Sequence, residues 1–235
     1  MALTPPIPRE LINVGFGTEI IYSFVIILCS LIIYFGTKEL YELSSYKGIK
    51  YFRQAFLFFA IAYFFRSFIK FILVYFNTNE LFEVSPRILF GLFGQITLFI
   101  FIYFSSMAIF YLLYSVMWKR LNKNKNNIYL FHILAFIIST ISILSRNMLV
   151  YIGLNVFLLF FVIFIVSLAY NNSEYKKKGH NMYIIYVLLL LFWILNIFDV
   201  LIPKFFENIK LIIYLASCGI FLMIFYRVVK KTGSN

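Results

Sequence analysis

The chain has 235 residues, of which 63% are hydrophobic and only 13% are charged. Soluble domains average about 45–50% apolar and about 25% charged residues, so this composition excludes an ordinary soluble domain and indicates a chain that resides in a bilayer. The formal net charge of +12 does not indicate nucleic-acid binding, because the cations occupy short segments between apolar runs. The expected surroundings are therefore the lipid bilayer, with no nucleic acid as partner.

Seven apolar stretches are long enough to cross a bilayer, which takes about 20 mostly apolar residues. They predict helices at about 18–37, 51–76, 87–117, 127–145, 147–170, 181–203 and 208–229. Little more than Arg146 and Asn147 separates the fourth from the fifth, which predicts a tight helical hairpin. No segment between helices is long enough for a soluble domain. The sequence thus predicts an all-α, polytopic integral membrane protein with seven transmembrane helices in a single domain over residues 1–235.

Lysine and arginine predict which side of the membrane each loop faces, since cytoplasmic loops carry an excess of both. One set of loops and helix ends carries Lys38, Lys47, Lys50, Arg53, Lys119, Arg120, Lys123, Lys125, Lys176, Lys177, Lys178, Arg227, Lys230 and Lys231. The other set carries only Arg9, Arg87, Arg146, Lys204 and Lys210. This asymmetry predicts an external N-terminus and a cytoplasmic C-terminus. The basic inner loops are where we expect a cytoplasmic or membrane protein partner to bind.

Two cations interrupt the second predicted helix, YFRQAFLFFAIAYFFRSFIKF. Arg66 and Lys70 are four residues apart and so share a helix face; Asn196 and Asp199, three apart in the sixth helix, share another. An unpaired cation at the bilayer centre costs about 2.5–3.5 kcal/mol on insertion scales. We therefore expect Arg66 or Lys70 to pair with Asp199.

The predicted topology brings further polar residues into the same outer half of the bundle. Glu19 and Tyr22 lie near the start of the first helix, and Gln95 lies about two turns into the third. The candidate ligand or ion-pair site comprises Arg66, Lys70, Asp199, Asn196, Gln95, Glu19 and Tyr22. Three interpretations stay open: a lysine that extends to the headgroups, a salt bridge that only assembles helices, and a water-accessible ligand or ion site.

No pattern predicts catalytic chemistry, so an enzyme is the least favoured class. His132 and His180 have no partner at the spacing that a metal site needs, and Cys29 and Cys218 each lie within an apolar run. A retinal protein needs a lysine near the middle of its seventh helix, where this chain offers only Lys210 at the outer edge. We expect no metal and no cofactor, retinal included.

The stretch KGIKYFRQAFLFFAIAYFFR, residues 47–66, resembles a segment of uncharacterised archaeal seven-helix integral membrane proteins. It is also similar, more faintly, to the seven-helix sensor regions that precede some histidine kinases. The resemblance implies a seven-helix topology. It also implies that any signal passes to a partner protein, since this chain carries no kinase.

These observations favour a heptahelical sensor or receptor-like module of the cell membrane, with a polar site in its outer half and output through a partner. A small-solute or ion transporter is the first alternative. The pattern Tyr-x-x-Ser-x-Tyr-Lys occurs at residues 41–47 and again 129 residues later, and the same offset places Lys70 on Asp199. A membrane scaffold that needs no ligand is the second alternative.

Overall fold

The computed structural model describes residues 14–78, 86–121, 127–145, 147–174, 180–202 and 207–232. All regular elements within these ranges are helices, which confirms the all-α prediction. In chain order they are α1 (Val14–Gly36), α2 (Lys38–Ser44), α3 (Lys47–Thr78), α4 (Pro86–Leu121), α5 (Asn127–Ser145), α6 (Met148–Glu174), α7 (His180–Leu201) and α8 (Glu207–Thr232). The seven long helices begin and end within four residues of the predicted bounds.

The short helix α2 was not predicted. Its sequence KELYELS carries charge and buries none of its residues, so it has no apolar face of the kind that identified the other helices. Lys38 and Glu42 form an exposed i,i+4 ion pair with 3.7 Å between Nζ and Oε1. Ser45 follows with a left-handed backbone, φ 50°, and its N–H donates to the backbone oxygen of Tyr41, which caps the end of α2.

The outer surface of the bundle is apolar. Leu144 and Leu149 are each 76% exposed and Phe160 is 65% exposed, on α5 and α6. Exposed apolar area on this scale is stable only in apolar surroundings or against a partner. Six helices in the described part of the chain are long and apolar enough to cross a membrane. The chain is therefore a multi-pass membrane protein; α3, which carries Arg53 and Arg66, is not among these six.

An aromatic core joins α3 to α7 and α8. The rings of Phe56 and Phe59 on α3 lie 6.2 Å from Phe221 on α8, and Phe221 lies 4.8 Å from Phe192 on α7. All four side chains are almost completely buried. Edge-to-face ring pairs at these distances each stabilise the packing by about 0.5–1.5 kcal/mol beyond area burial. This core holds α3 among the apolar helices.

Near its start, α3 lies in close contact with α4. We call this contact, formed by Tyr46, Gly48, Ser115 and Trp118, the Trp118 end. Here the ring of Tyr46 packs edge-on against Trp118, with 5.1 Å between centroids. A Cβ added at Gly48 would lie 2.9 Å from the backbone oxygen of Ser115, so the two helices touch at this glycine. Ser115 and Tyr186 share a hydrogen bond of 2.9 Å, which adds α7 to the contact.

Candidate functional site

The guanidinium of Arg66, on α3, contacts carboxylates from two other helices. Its Nη2 donates to Oδ2 of Asp199 on α7 at 2.8 Å. Nη2 and Nε both donate to Oε1 of Glu19 on α1, each at 3.3 Å. Arginine suits this position because its planar group presents several donors in a fixed geometry. Arg66 therefore links three helices through one side chain.

Asn196, one turn before Asp199 on α7, completes the donor set. Its Oδ1 accepts from Tyr63 at 2.7 Å, from Tyr22 at 3.2 Å and from Arg66 Nη1 at 3.5 Å. Its Nδ2 donates to the backbone oxygen of Phe192 at 2.9 Å, which fixes which end of the amide faces the cluster. The two tyrosine hydroxyls also lie 3.1 Å apart.

Aromatic rings enclose the charged groups. The Arg66 guanidinium carbon lies 5.7 Å from the ring centres of Tyr22 and Tyr63 and 5.6 Å from that of Phe101. Tyr214 on α8 stacks on Tyr22 with 4.8 Å between centroids. Rings at these distances attract a cation through their faces and exclude water from its surroundings. We define the Arg66 cluster as Arg66, Glu19, Asp199, Asn196, Tyr22, Tyr63 and Tyr214.

The charged members of the cluster are largely buried. The exposed fraction of the side chain is 16% for Arg66, 11% for Glu19 and 8% for Asp199. Oδ1 of Asp199 is buried and has no hydrogen-bond partner among the described residues. A buried charge is stable when it is paired and its remaining polar atoms are satisfied. Asp199 is paired with Arg66 through Oδ2. Its other oxygen, Oδ1, is buried without a hydrogen bond from the described residues.

A small cavity, lined by apolar and polar side chains, adjoins Arg66, and neither Glu19 nor Asp199 is among its lining residues. Its volume is about 30 Å³, enough to hold a water molecule. Ser142 Oγ has no hydrogen-bond partner among the described residues. The lining residues with polar side chains are Tyr63, Arg66, Ser105, Ser142, Tyr151, Asn155, Trp193 and Asn196. Arg66 and Asn196 therefore belong both to the cluster and to the lining of a space that can hold a water molecule.

Comparison with known proteins finds a relative from an archaeon. A protein of Archaeoglobus fulgidus, described only as uncharacterised, is 31% identical over 231 residues, which is 97% of this chain and 98% of the relative. The chain belongs to the family of this archaeal protein. The resemblance to uncharacterised archaeal membrane proteins, predicted from residues 47–66, is thereby confirmed. No family model and no solved structure matches the chain.

The structure brings together five of the seven residues predicted for the site. These five are Arg66, Asp199, Asn196, Glu19 and Tyr22. Gln95 on α4 is half-buried, and the hydrogen bonds given above for the cluster do not include it. The side chain of Lys70 lies outside the described residues.

Sequence reasoning missed Tyr63 and Tyr214. Tyr63 lies three residues before Arg66 and so shares its helix face, which was a usable signal. The chain contains 18 tyrosines, however, and their number conceals the few that contact the cluster. Tyr214 could not be found in this way, because its contact depends on how α8 packs against α1.

Some other polar groups in the spans have partners outside the cluster. Ser139 and Thr140 each donate to the backbone oxygen four residues earlier, at 2.8 Å, as serine and threonine in membrane helices often do. His132 shares a 2.7 Å hydrogen bond with Tyr103. Among the described residues, no group of three histidine, cysteine or acidic side chains could hold a metal ion.

Proposed function

We propose that this protein is a seven-span membrane sensor or receptor-like module in which the Arg66 cluster and its adjoining cavity form the sensing site. One observation carries the proposal: all seven long helices contribute a side chain to the cluster or to the cavity lining. The contributors include Glu19 (α1), Arg66 (α3), Ser105 (α4), Ser142 (α5), Asn155 (α6), Asp199 (α7) and Tyr214 (α8). A change at this one place therefore alters contacts of every long helix.

The helix α4 supplies a direct mechanical connection to the opposite end of the bundle. It is continuous from Ser105, which lines the cavity, to Trp118, which packs against Tyr46. This distance is about 20 Å at 1.5 Å per residue. A shift of α4 at the cavity would therefore also move the Trp118 end, which lies beside the basic residues Lys119 and Arg120.

In the proposed topology α3 also crosses the membrane, which brings the number of spans to seven. The N-terminus is external and the C-terminus is cytoplasmic. α3 is 32 residues long, which corresponds to about 48 Å, and it packs between α1 and α4. The loop cations support this orientation, since the richer set is then cytoplasmic. The Trp118 end then faces the cytoplasm, where the basic loops would contact a partner.

A transporter is the competing function, because intramembrane ionisable groups also mark ion and substrate pathways. Transporters commonly build their sites from interrupted helices. Each long helix in the described ranges is continuous past the Arg66 cluster, and this favours a sensor. Reproducible saturable uptake of a labelled solute by proteoliposomes that contain the purified protein would contradict the sensor proposal.

The sensor proposal can be tested with the two tryptophans of the chain, Trp118 and Trp193. Trp193 lines the cavity and donates to the backbone oxygen of Asn155 at 3.2 Å, whereas Trp118 lies at the far end. Incorporation of 5-fluorotryptophan gives one ¹⁹F signal from each end of the bundle. A Trp193→Phe chain assigns the two signals.

We expect Asp199→Asn to shift the ¹⁹F signal of Trp118 as well as that of Trp193. The matched control is Phe198→Leu, because Phe198 is adjacent on α7 and is 50% exposed on the outer surface. This control should leave the Trp118 signal in place. A Trp118 signal that is identical in the wild type and in a folded Asp199→Asn chain would favour the scaffold and contradict the sensor.

A further inference from the structure

We propose that Arg53, which is held against Tyr34 at one end of the bundle, binds the phosphate group of an acidic membrane phospholipid. This site is separate from the Arg66 cluster, because Arg53 and Arg66 lie about 20 Å apart along α3. The proposal therefore does not rest on the sensor function. It assigns a ligand to a charged side chain that the sensing site does not use.

The guanidinium of Arg53 is held in place by the end of α1. Its Nε donates to the backbone oxygen of Tyr34 at 2.9 Å, and its Cζ lies 4.8 Å from the centre of the Tyr34 ring. Tyr34 lies just before the end of α1 at Gly36, where backbone oxygens have no partner within the helix. Arg53 therefore caps this helix end and keeps its charged group in a fixed direction.

Two nitrogens of this guanidinium are available to a ligand. In the described part of the chain, the hydrogen bond of Arg53 is made through Nε, and Nη1 and Nη2 have no acceptor. The ion pairs among the described residues do not include Arg53 either. Neighbouring N–H groups in a fixed plane match two oxygens of a phosphate, which arginine binds in a bidentate way. The site therefore fits an anion of this kind.

The charges around Arg53 favour an acidic ligand. Lys50 is exposed and lies three residues earlier, on the same face of α3. The nearest acids along the chain are Glu39 and Glu42 on α2, and Glu42 is paired with Lys38 at 3.7 Å. Basic pockets between helices at the membrane surface commonly bind acidic headgroups. A lipid phosphate would supply the negative charge that Arg53 lacks.

An apolar surface continues from the site, which favours a lipid over a free anion. The ring of Tyr34 packs edge-on against that of Phe35, with 5.1 Å between centroids. Phe35 is 63% exposed, and Leu28 and Ile32 are exposed on the same face of α1. An acyl chain along this face would cover apolar surface while the phosphate contacts Arg53. A free phosphate ion would gain the polar contacts alone.

The site also lies at the depth of lipid headgroups. The apolar run of α1 ends at Phe35, and the charged residues Lys38 and Glu39 follow. This change marks the boundary between acyl chains and headgroups, where tyrosine is enriched. Arg53 lies about 9 Å from the start of α3, so its long side chain extends to the same boundary. The proposal holds for either orientation of the protein, because both leaflets contain phospholipid.

Native mass spectrometry of the purified full chain in a mild detergent tests the ligand directly. The probes are dioleoyl phosphatidylglycerol, dioleoylglycerol, which has the same acyl chains without the phosphate, and inorganic phosphate. We expect saturable binding of phosphatidylglycerol and of neither other probe. Equal binding of dioleoylglycerol would show that the phosphate is not recognised. Equal binding of inorganic phosphate would show a simple anion site, and either result would overturn the proposal.

Arg53→Gln should weaken the binding of phosphatidylglycerol about tenfold, the loss expected when a charged hydrogen-bond donor is removed. Arg120→Gln is the matched control, because Arg120 is an exposed arginine on α4 at the same end of the bundle. This change should retain most of the affinity, since exposed charges attract weakly. Equal losses in the two folded chains would show a general attraction to basic residues and would contradict the site at Arg53.

Arg53→Lys separates the shape of the guanidinium from its charge. A lysine keeps the charge but cannot both bind the backbone oxygen of Tyr34 and present two further donors in a fixed plane. We therefore expect an affinity between those of the wild type and Arg53→Gln, with helix content checked by circular dichroism. An affinity equal to that of the wild type would contradict bidentate recognition of the phosphate. This variant and the comparison of probes also decide the question if Arg53→Gln does not fold.

Discussion

At the scale of single residues, Arg66 combines roles that a lysine could not fill. Its Nε and Nη2 reach Glu19, its Nη2 also reaches Asp199, and its Nη1 points to Asn196. A lysine would supply the charge from a single point without the fixed geometry of these donors. The bond network therefore depends on the shape of the guanidinium as well as on its charge.

Arg66→Gln should destabilise the protein by about 3–5 kcal/mol, because it leaves two buried carboxylates without their cation. Arg66→Lys should cost less, since the charge remains. Equilibrium unfolding in mixed detergent micelles measures both. The double variant Arg66→Gln with Asp199→Asn should recover part of the loss, as expected for directly coupled residues. A neutral effect of Arg66→Gln alone would show that the ion pair does not stabilise the bundle.

Tyr63→Phe should lower stability by about 1 kcal/mol, the usual net contribution of one hydrogen bond. The substitution removes the hydroxyl that donates to Asn196 at 2.7 Å and leaves the ring in place. Tyr129→Phe is the control, because Tyr129 is 70% exposed. The same unfolding experiment distinguishes the two variants, and equal effects would contradict a specific role for the Tyr63 hydroxyl.

At the scale of helices, the approach of α3 to α4 fixes the Trp118 end. Gly48 permits it: a Cβ there would meet the ring of Tyr46 and would lie 2.9 Å from the backbone oxygen of Ser115 and 3.1 Å from Trp118. A backbone atom cannot move aside as a flexible side chain can. Any larger residue at position 48 must therefore separate the two helices.

Gly48→Ala should destabilise the protein by about 1–3 kcal/mol through overpacking. Gly153→Ala provides the matched control, since Gly153 lies within α6 and a Cβ there meets nothing within 4 Å. That change should be neutral or stabilising by up to about 1 kcal/mol, because alanine favours a helix. Thermal unfolding compares the pair. If both alanines had the same effect, the contact at Gly48 would not be the constraint described.

The long helices could be predicted from sequence because each is an apolar run of sufficient length, and their bounds differ from prediction by no more than four residues. The helix α2 could not, because it is charged and lies on the surface. Within the site, the spacing of Asn196 and Asp199 indicated one shared face, and both contact Arg66. The contact between Tyr22 and Tyr214 depends on how α1 packs against α8, which no local pattern determines.

At the scale of the whole molecule, the bundle has a polar cluster in one half and a close helix contact at the other end. Along α3, Gly48 and Arg66 are separated by about 27 Å. Buried aromatic side chains, including Phe56 and Phe59, occupy the helix between them. Packed cores transmit displacement because they contain few voids. In the proposed sensor, this core transmits a change from the Arg66 cluster to the Trp118 end.

The proposed orientation predicts which terminus reacts with a thiol reagent that cannot cross the membrane. In intact cells, a cysteine in place of Glu10 should be labelled and one in place of Ser234 should be protected. The native thiols, Cys29 and Cys218, are first replaced by alanine, which removes background labelling. Labelling of position 234 alone would show that the protein has the opposite orientation in the membrane.

We propose that a change in the Arg66 cluster alters the surroundings of Trp118 at the other end of the bundle. The ¹⁹F signal of Trp118 measures this directly in lipid nanodiscs that contain the 5-fluorotryptophan-labelled wild type, Asp199→Asn or Phe198→Leu chain. We expect the Trp118 signal to shift in Asp199→Asn and to stay in place in Phe198→Leu. An identical Trp118 signal in the wild type and in a folded Asp199→Asn chain would show that the two ends are not coupled.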